Sequence, residues 1–303
     1  MRPMTRRRFL TISAALPVVA SLPAQASTLY RWRGIALGAE AEILLDHPDA
    51  AAITARAAAE IARLETVFSL YRTDSALSRL NASGTLAAPP FELLECLGVC
   101  DRIHAATGGL FDPTVQPLWA LYARRYSEGA TPSADDLAQT LATVGWEGVS
   151  VDESAIRLRP GMALTLNGVA QGFIADRIAE MLRAEGLTNV LVNTGELRAL
   201  GPSNEGTPWP VTLTSGGHVD LADRALASSS ALGTTFDQGG KVGHILSPVT
   251  GLPAPARWNL VSISAGKAAV ADALSTAACL MPDRATVEAA LASFADTRIE
   301  ALA

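Results

Sequence analysis

The chain has 303 residues, 49% hydrophobic and 18% charged, a balance that excludes a disordered or low-complexity polymer and requires a packed core. Its 30 acidic residues outnumber the 24 Lys and Arg, so the formal net charge is -6 and no basic surplus exists for nucleic acid. Cys96, Cys100 and Cys279 are too few and too irregularly spaced for a disulfide framework or a zinc site, and read as small buried side chains.

Residues 1–26 read as an export leader. Arg6-Arg7-Arg8-Phe9-Leu10 is a basic start, Leu10 to Leu22 a modest apolar run, and Ala24-Gln25-Ala26 a small-residue cleavage site. The run is too short and too rich in Ala, Ser and Pro to span roughly 30 Å of hydrocarbon as an anchor. Paired arginines ahead of Phe-Leu fit twin-arginine export of an already folded protein, so the expected location is the periplasm.

Residues 27–303 then read as one mixed α+β domain. Alternation from Tyr30 to Leu45 around Gly38 predicts two short strands. Asp49 stands as N-cap to a helix whose apolar face is Ile53, Ala57, Ile61, Leu64 and Phe68. Pro89-Pro90 precedes a second helix, Phe91 to Thr107, closed by Gly108-Gly109. Ser133-Ala134-Asp135-Asp136 is a capping-box variant opening a third that ends near Gly145. Strands follow at Val149–Val151, Ala155–Leu158 and Ala163–Leu166, and a helix at Gly172–Glu185. Further strands are expected at Val190–Val192, Trp209–Leu213, His244–Leu246 and Leu260–Ile263, with closing helices at Ala268–Met281 and Asp283–Phe294. Nothing suggests an internal repeat or a long linker.

The common nucleotide and hydrolase signatures are missing: no Gly-x-Gly-x-x-Gly after a strand, no phosphate loop ending in Gly-Lys-Ser/Thr, no His-Glu-x-x-His and no Gly-x-Ser-x-Gly. Three constellations remain. Asp272 and Thr276 are four apart, so a helix puts carboxylate and hydroxyl on one face, a hard-oxygen pair suited to Mg²⁺. An Asp early in a helix also serves as a simple dipole partner. Leu166-Asn167-Gly168-Val169-Ala170-Gln171-Gly172-Phe173 runs from strand to helix through two glycines, which permits close backbone approach to a ligand or merely a tight turn. His244, in Gly243 to Gly251, is either a general base or a satisfied structural histidine.

Read together and in order, these segments resemble the ApbE family of FAD:protein FMN transferases. The resemblance is carried by Ala36-Leu37-Gly38-Ala39, Phe68-Ser69-Leu70-Tyr71, Asp74 to Asn81, Gly109-Leu110-Phe111-Asp112-Pro113-Thr114-Val115, Leu166 to Asp176, Val192-Asn193-Thr194-Gly195, His244 to Gly251, and Ala271 to Thr276. It implies an α+β domain that takes FAD as substrate and moves its FMN half onto a Thr or Ser hydroxyl of an acceptor flavoprotein, releasing AMP. It further implies a Mg²⁺ site made by the Gly168 carbonyl, Asp272, Ser275 and Thr276. Leu37, Tyr71, Leu110, Phe111, Asp112, Thr165, Gln171 and Leu246 fall at FAD-contacting positions, and His244 at the candidate base position.

The match has departures. Thr165 replaces the family's Asp, Gln171 its Lys or Glu, Ser247 its Asp, Ser228-Ser229-Ser230 its Thr-Ser-Gly, and Glu196 the second Gly of a Gly-Gly pair. Asn167 to Gly172 and Asn193 to Glu196, with the leader, look most like the NosX branch, which implies a role in nitrous oxide reductase maturation and a membrane-bound acceptor. Two other readings of the same residues are a FAD carrier that has lost transfer and a FAD pyrophosphatase in which water replaces the acceptor.

Overall fold

A computed structural model describes residues 29–303; the leader assigned to residues 1–26 lies outside them. Strand β1 (Tyr30–Ala36) turns tightly into β2 (Ala39–Leu45) and pairs with it antiparallel, as the alternation implied. Helix α1 (Ala50–Phe68) buries the predicted apolar stripe, although the Asp49 side chain makes no capping bond. Two helices escape the sequence reading. One is α2 (Ala76–Ser83), capped by Ser75 and ended by Gly84 at φ 70°. The other is α4 (Gln116–Ser127), which buries Leu118, Leu121 and Tyr122 and follows β3 (Thr85–Ala87) and the expected α3 (Phe91–Ala106).

Helix α5 (Ala134–Leu141) forms the full capping box, Asp136 N to Ser133 Oγ at 3.1 Å and Ser133 N to Asp136 Oδ2 at 2.9 Å, and stops one turn short of Gly145. Strands β4 (Val149–Val151) and β5 (Ala155–Leu158) sit where predicted and form a small sheet with β3. The expected strand Ala163–Leu166 does not form. Its backbone is claimed elsewhere: Asn81 bonds Leu164 through both amide atoms, at 2.7 and 2.8 Å, and Thr165 N donates to the Pro113 carbonyl at 2.8 Å. The segment is held by Asn81 on α2 and by the Pro113 carbonyl, without a ladder partner.

After α6 (Ala170–Ala184), the chain adds β6 (Val190–Asn193), β7 (Leu197–Leu200), β8 (Trp209–Thr212), β9 (His218–Leu221), β10 (Ala225–Ser229) and β11 (Val261–Ala265). It closes with α7 (Ala268–Ala278), α8 (Arg284–Leu291) and β12 (Arg298–Leu302). The expected strand His244–Leu246 does not form: Leu246 makes one isolated bridge, to Pro253, and the preceding Gly243 another, to Thr235.

Seven strands make one sheet in the order β1-β2-β6-β7-β10-β11-β12, every neighbour antiparallel, which places the molecule in the α+β class. Both faces of its centre are covered. Ile43, Leu45, Val190 and Val192 point to the core under α1, α6 and α7, while Leu44, Leu191, Leu197 and Ala199 point to a second core beneath the β8–β9 hairpin. Central strands buried on two sides lose polar alternation, which is why β7 left no period-two signal.

Helices α6 and α7 cross where glycine is required. A Cβ on Gly172 would stand 2.4 Å from the Ala268 carbonyl oxygen, a backbone atom that cannot rotate away. Gly172→Ala is expected to lower stability by about 1–3 kcal/mol through overpacking, read as a drop in thermal midpoint.

Candidate active site

One cleft of about 1170 Å³, counting its open mouth, is built by the loop after α3, the start of α6, the β6–β7 turn, the end of β10 and the outer face of α7. The start of α7 is fixed from another element. Asp176 on α6 accepts hydrogen bonds from Ala268 N at 2.9 Å and Ala269 N at 3.0 Å, and Arg198 Nε lies 3.4 Å from the same carboxylate. A carboxylate at a helix N-terminus satisfies free N–H groups and the dipole together. Lys267, the local N-cap residue, contributes no such bond.

Helix α7 then offers Asp272 and Thr276 to the cleft, while Ser275 faces the sheet. Successive helical residues rotate by about 100°, so the position four ahead of Asp272 shares its direction and the position three ahead falls to one side. Ser275 is wholly buried; its hydroxyl lies 2.7 Å from Ser229 Oγ and donates to the Asp272 carbonyl at 3.0 Å. Ser275, expected as a direct ligand, therefore stands outside the cleft lining, one hydrogen bond behind Ser229, which lines it. Gly168 closes the same corner from the opposite side: a Cβ there would be 2.9 Å from Thr276 Oγ1, so glycine is what lets the two approach.

Asp272 is 3% exposed, and burial pushes its carboxyl up to about 7 even though Gly172 N donates to Oδ2 at 3.2 Å. The cleft lining contains no Lys or Arg among the described residues. A buried carboxylate without a basic partner is costly unless a cation joins it. Carboxylate, hydroxyl and a sterically bare carbonyl form a hard-oxygen donor set, the kind that fits Mg²⁺, which completes its octahedron with water and phosphate oxygens.

His244 has one defined role open to it. Its Nδ1 lies 3.0 Å from the Thr234 carbonyl oxygen, which can only accept, so Nδ1 carries the hydrogen and Nε2 keeps its lone pair. Burial holds the imidazole below its ordinary pKa, the Thr234 bond partly opposing. The side chain is therefore neutral near pH 7, with a free basic nitrogen at the cleft.

Of the other expected contacts, Leu110, Phe111, Asp112, Thr165, Gln171 and Leu246 line the cleft. The Asp112 carboxylate is committed to the fold: Oδ1 accepts from Thr114 N at 2.8 Å and Thr114 Oγ1 at 2.6 Å, and Oδ2 from Trp146 N at 3.1 Å. Leu37 and Tyr71 are not brought into the lining. Leu37 occupies the β1–β2 turn at φ 49° with its N–H on the Glu65 carboxylate at 2.7 Å. Tyr71 is 44% exposed, and its hydroxyl reaches the Asn167 side chain. Unforeseen in the lining are Asn167, Trp119, Thr234 and Glu196, the last visible in the sequence only as a departure from a glycine pair.

Comparison with known proteins finds relatives of this chain in sequence and in fold. A model of the ApbE family matches residues 37–302. The FAD:protein FMN transferase of Treponema pallidum is 31% identical over 242 residues, 70% of this chain and 67% of that protein. That of Haemophilus influenzae is 28% identical over 244 residues, covering 73% and 70%. Among solved structures, the ApbE protein of Thermotoga maritima superposes with a TM-score of 0.77 at 26% identity, covering 86% of this chain and 89% of that one. The Pseudomonas stutzeri flavinyl transferase ApbE gives 0.77 at 25% identity, covering 90% and 89%.

Proposed function

This chain belongs to the ApbE family, and on that premise we propose that it is a FAD:protein FMN transferase that uses Mg²⁺ and acts on an exported acceptor. The observation that carries the reading is the corner where the Gly168 backbone, Asp272 and Thr276 converge in a cleft lined, among the described residues, by no lysine or arginine. FAD brings a pyrophosphate, itself anionic, so the cleft's own carboxylates would repel it in the absence of a cation.

Bound at that corner, Mg²⁺ would supply Lewis-acid polarisation and neutralise pyrophosphate charge. Asp272, Thr276 and the Gly168 carbonyl would hold it. Phe111, Leu110 and Leu246 offer apolar surface to the rings of FAD. His244 Nε2 accepts the proton of the acceptor's Thr or Ser hydroxyl. That oxygen forms a bond to the phosphorus of the FMN half, the bond from this phosphorus to the bridging oxygen breaks, and AMP leaves with the bridging oxygen. The work of the protein is placement and charge compensation, as in other phosphoryl transfers.

The test is to incubate the protein with FAD, Mg²⁺ and an acceptor domain carrying a Thr or Ser site, following acceptor mass and AMP together. Transfer gives an acceptor heavier by one FMN less one water, with one AMP released for each modified acceptor. AMP at the same rate without acceptor would instead identify a pyrophosphatase, and stoichiometric FAD with no AMP a carrier.

The leader supports action in the periplasm, and Asn167 to Gly172 with Asn193 to Glu196 support the NosX branch, with a membrane-bound flavoprotein of nitrous oxide reductase maturation as acceptor. Cell fractionation is expected to recover the protein in the periplasm. Loss of that pool after replacement of Arg6 and Arg7 by lysine checks the export route.

A further inference from the structure

The cleft lining holds three carboxylates, and Asp112 is already occupied by loop N–H groups and the Thr114 hydroxyl. The remaining two, Asp272 and Glu196, are 3% and 6% exposed. Each has one oxygen bonded by a backbone N–H, Gly172 for Asp272 and Ser228 for Glu196, both at 3.2 Å. Among the described residues no donor reaches the second oxygen of either.

The two groups come together through β10. Ser228 N holds the Glu196 carboxylate, and the next residue, Ser229, places its hydroxyl 2.7 Å from Ser275 Oγ and 3.4 Å from Thr276 Oγ1 on α7. The β6–β7 turn carrying Glu196 is itself seated on the start of α6: Thr194 Oγ1 donates to the Gln171 carbonyl at 2.8 Å, and a Cβ on Gly195 would lie 2.4 Å from the Gln171 amide nitrogen. Glu196 thus sits in a turn seated on α6, with its carboxylate tied to β10 one residue from the Ser229 that meets α7. Burial, and after it the charge of Asp272, push its carboxyl well above the usual range. Two buried carboxylates facing one cleft with no lysine or arginine repel each other, and a divalent cation relieves that repulsion.

We infer that Glu196 is a further anionic donor to the divalent-cation site, acting beside Asp272, Thr276 and the Gly168 carbonyl. The inference rests on the Mg²⁺ reading of that corner. It makes the empty site doubly acidic, so the cation is held before FAD arrives, because affinity for a hard cation rises with the number of anionic ligands.

The test titrates Mn²⁺ into the chelator-treated full chain without FAD, with free Mn²⁺ read by electron paramagnetic resonance. The wild-type chain binds one ion. Glu196→Gln keeps an acceptor for Ser228 N, and so keeps the turn, yet loses at least about tenfold in affinity; Glu196→Ala shows the same loss should the Gln variant not fold. Its thermal midpoint in chelator is equal to or above that of the wild type, since the repelling pair is gone. Asp272→Asn loses binding altogether. Undiminished Mn²⁺ affinity in both folded Glu196 variants, with Asp272→Asn inactive in binding, overturns the role of Glu196. Undiminished binding in Asp272→Asn sinks the metal reading on which it rests.

Discussion

Asp272→Ala is expected to abolish FMN transfer, lowering the rate by about 10³-fold or more, because it removes the charged ligand that holds a cation worth several kcal/mol at the transition state. Mass spectrometry of the acceptor gives the measurement. Wild-type turnover in this variant would refute the placement of the metal site. The same carboxyl also sets a pH dependence of folding. Burial raises it to about 7 in the folded, metal-free chain, against about 4 when unfolded. Between those values the folded state binds the extra proton, so this group's contribution is fully present below about pH 4 and is lost as pH rises through about 7. Other carboxylates titrate in the same range, so the readout is the difference in thermal midpoint between wild type and Asp272→Asn. The wild type is expected to lose ground to the variant from pH 4 to 7 in chelator, and to regain it when Mg²⁺ is added at pH 8.

His244→Ala is expected to slow transfer by about 10² to 10⁴-fold while leaving FAD and metal binding intact, the range lost with a general base. The sign of the pH profile follows from the lowered pKa. A histidine held below its ordinary value stays neutral, and so able to accept a proton, to lower pH than a free imidazole. The acid limb of the single-turnover rate therefore falls below about pH 6.5, and it disappears in the variant. A limb at higher pH, or one that survives His244→Ala, would assign the base to another group.

Much of the candidate site lay in plain view along the chain because its chemistry is local. Asp272 and Thr276 are related by helical spacing alone. Gly168 and Gly172 flank a helix start, and His244 sits in a short Pro-Gly-bounded segment. Ser275 shows the limit of such reading: the segment includes it with its neighbours, yet one residue of helical rotation turns its hydroxyl to Ser229 and the sheet. Asp112 is comparable. Its place in the motif is right, but three hydrogen bonds from Thr114 and Trp146 make it a pin for the loop.

The elements that were missed failed for physical reasons as well. β7 and β10 lie in a sheet covered on both faces, so polar alternation is absent, and residues 163–166 are held by Asn81 and Pro113, partners remote in sequence. By itself the sequence determined the α+β class, the amphipathic helices α1 and α3, the capping box of α5 and the residue types of the Gly168–Asp272–Thr276 corner, because each depends on periodicity or on neighbours within a few positions. Only the tertiary structure decided that Asp176, 92 residues away, fixes the start of α7, that Leu37 and Tyr71 stand outside the cleft lining, and that Glu196 enters beside Asp272. Those outcomes depend on which buried groups meet across the fold, and the free energy of burying a charge is set by that meeting.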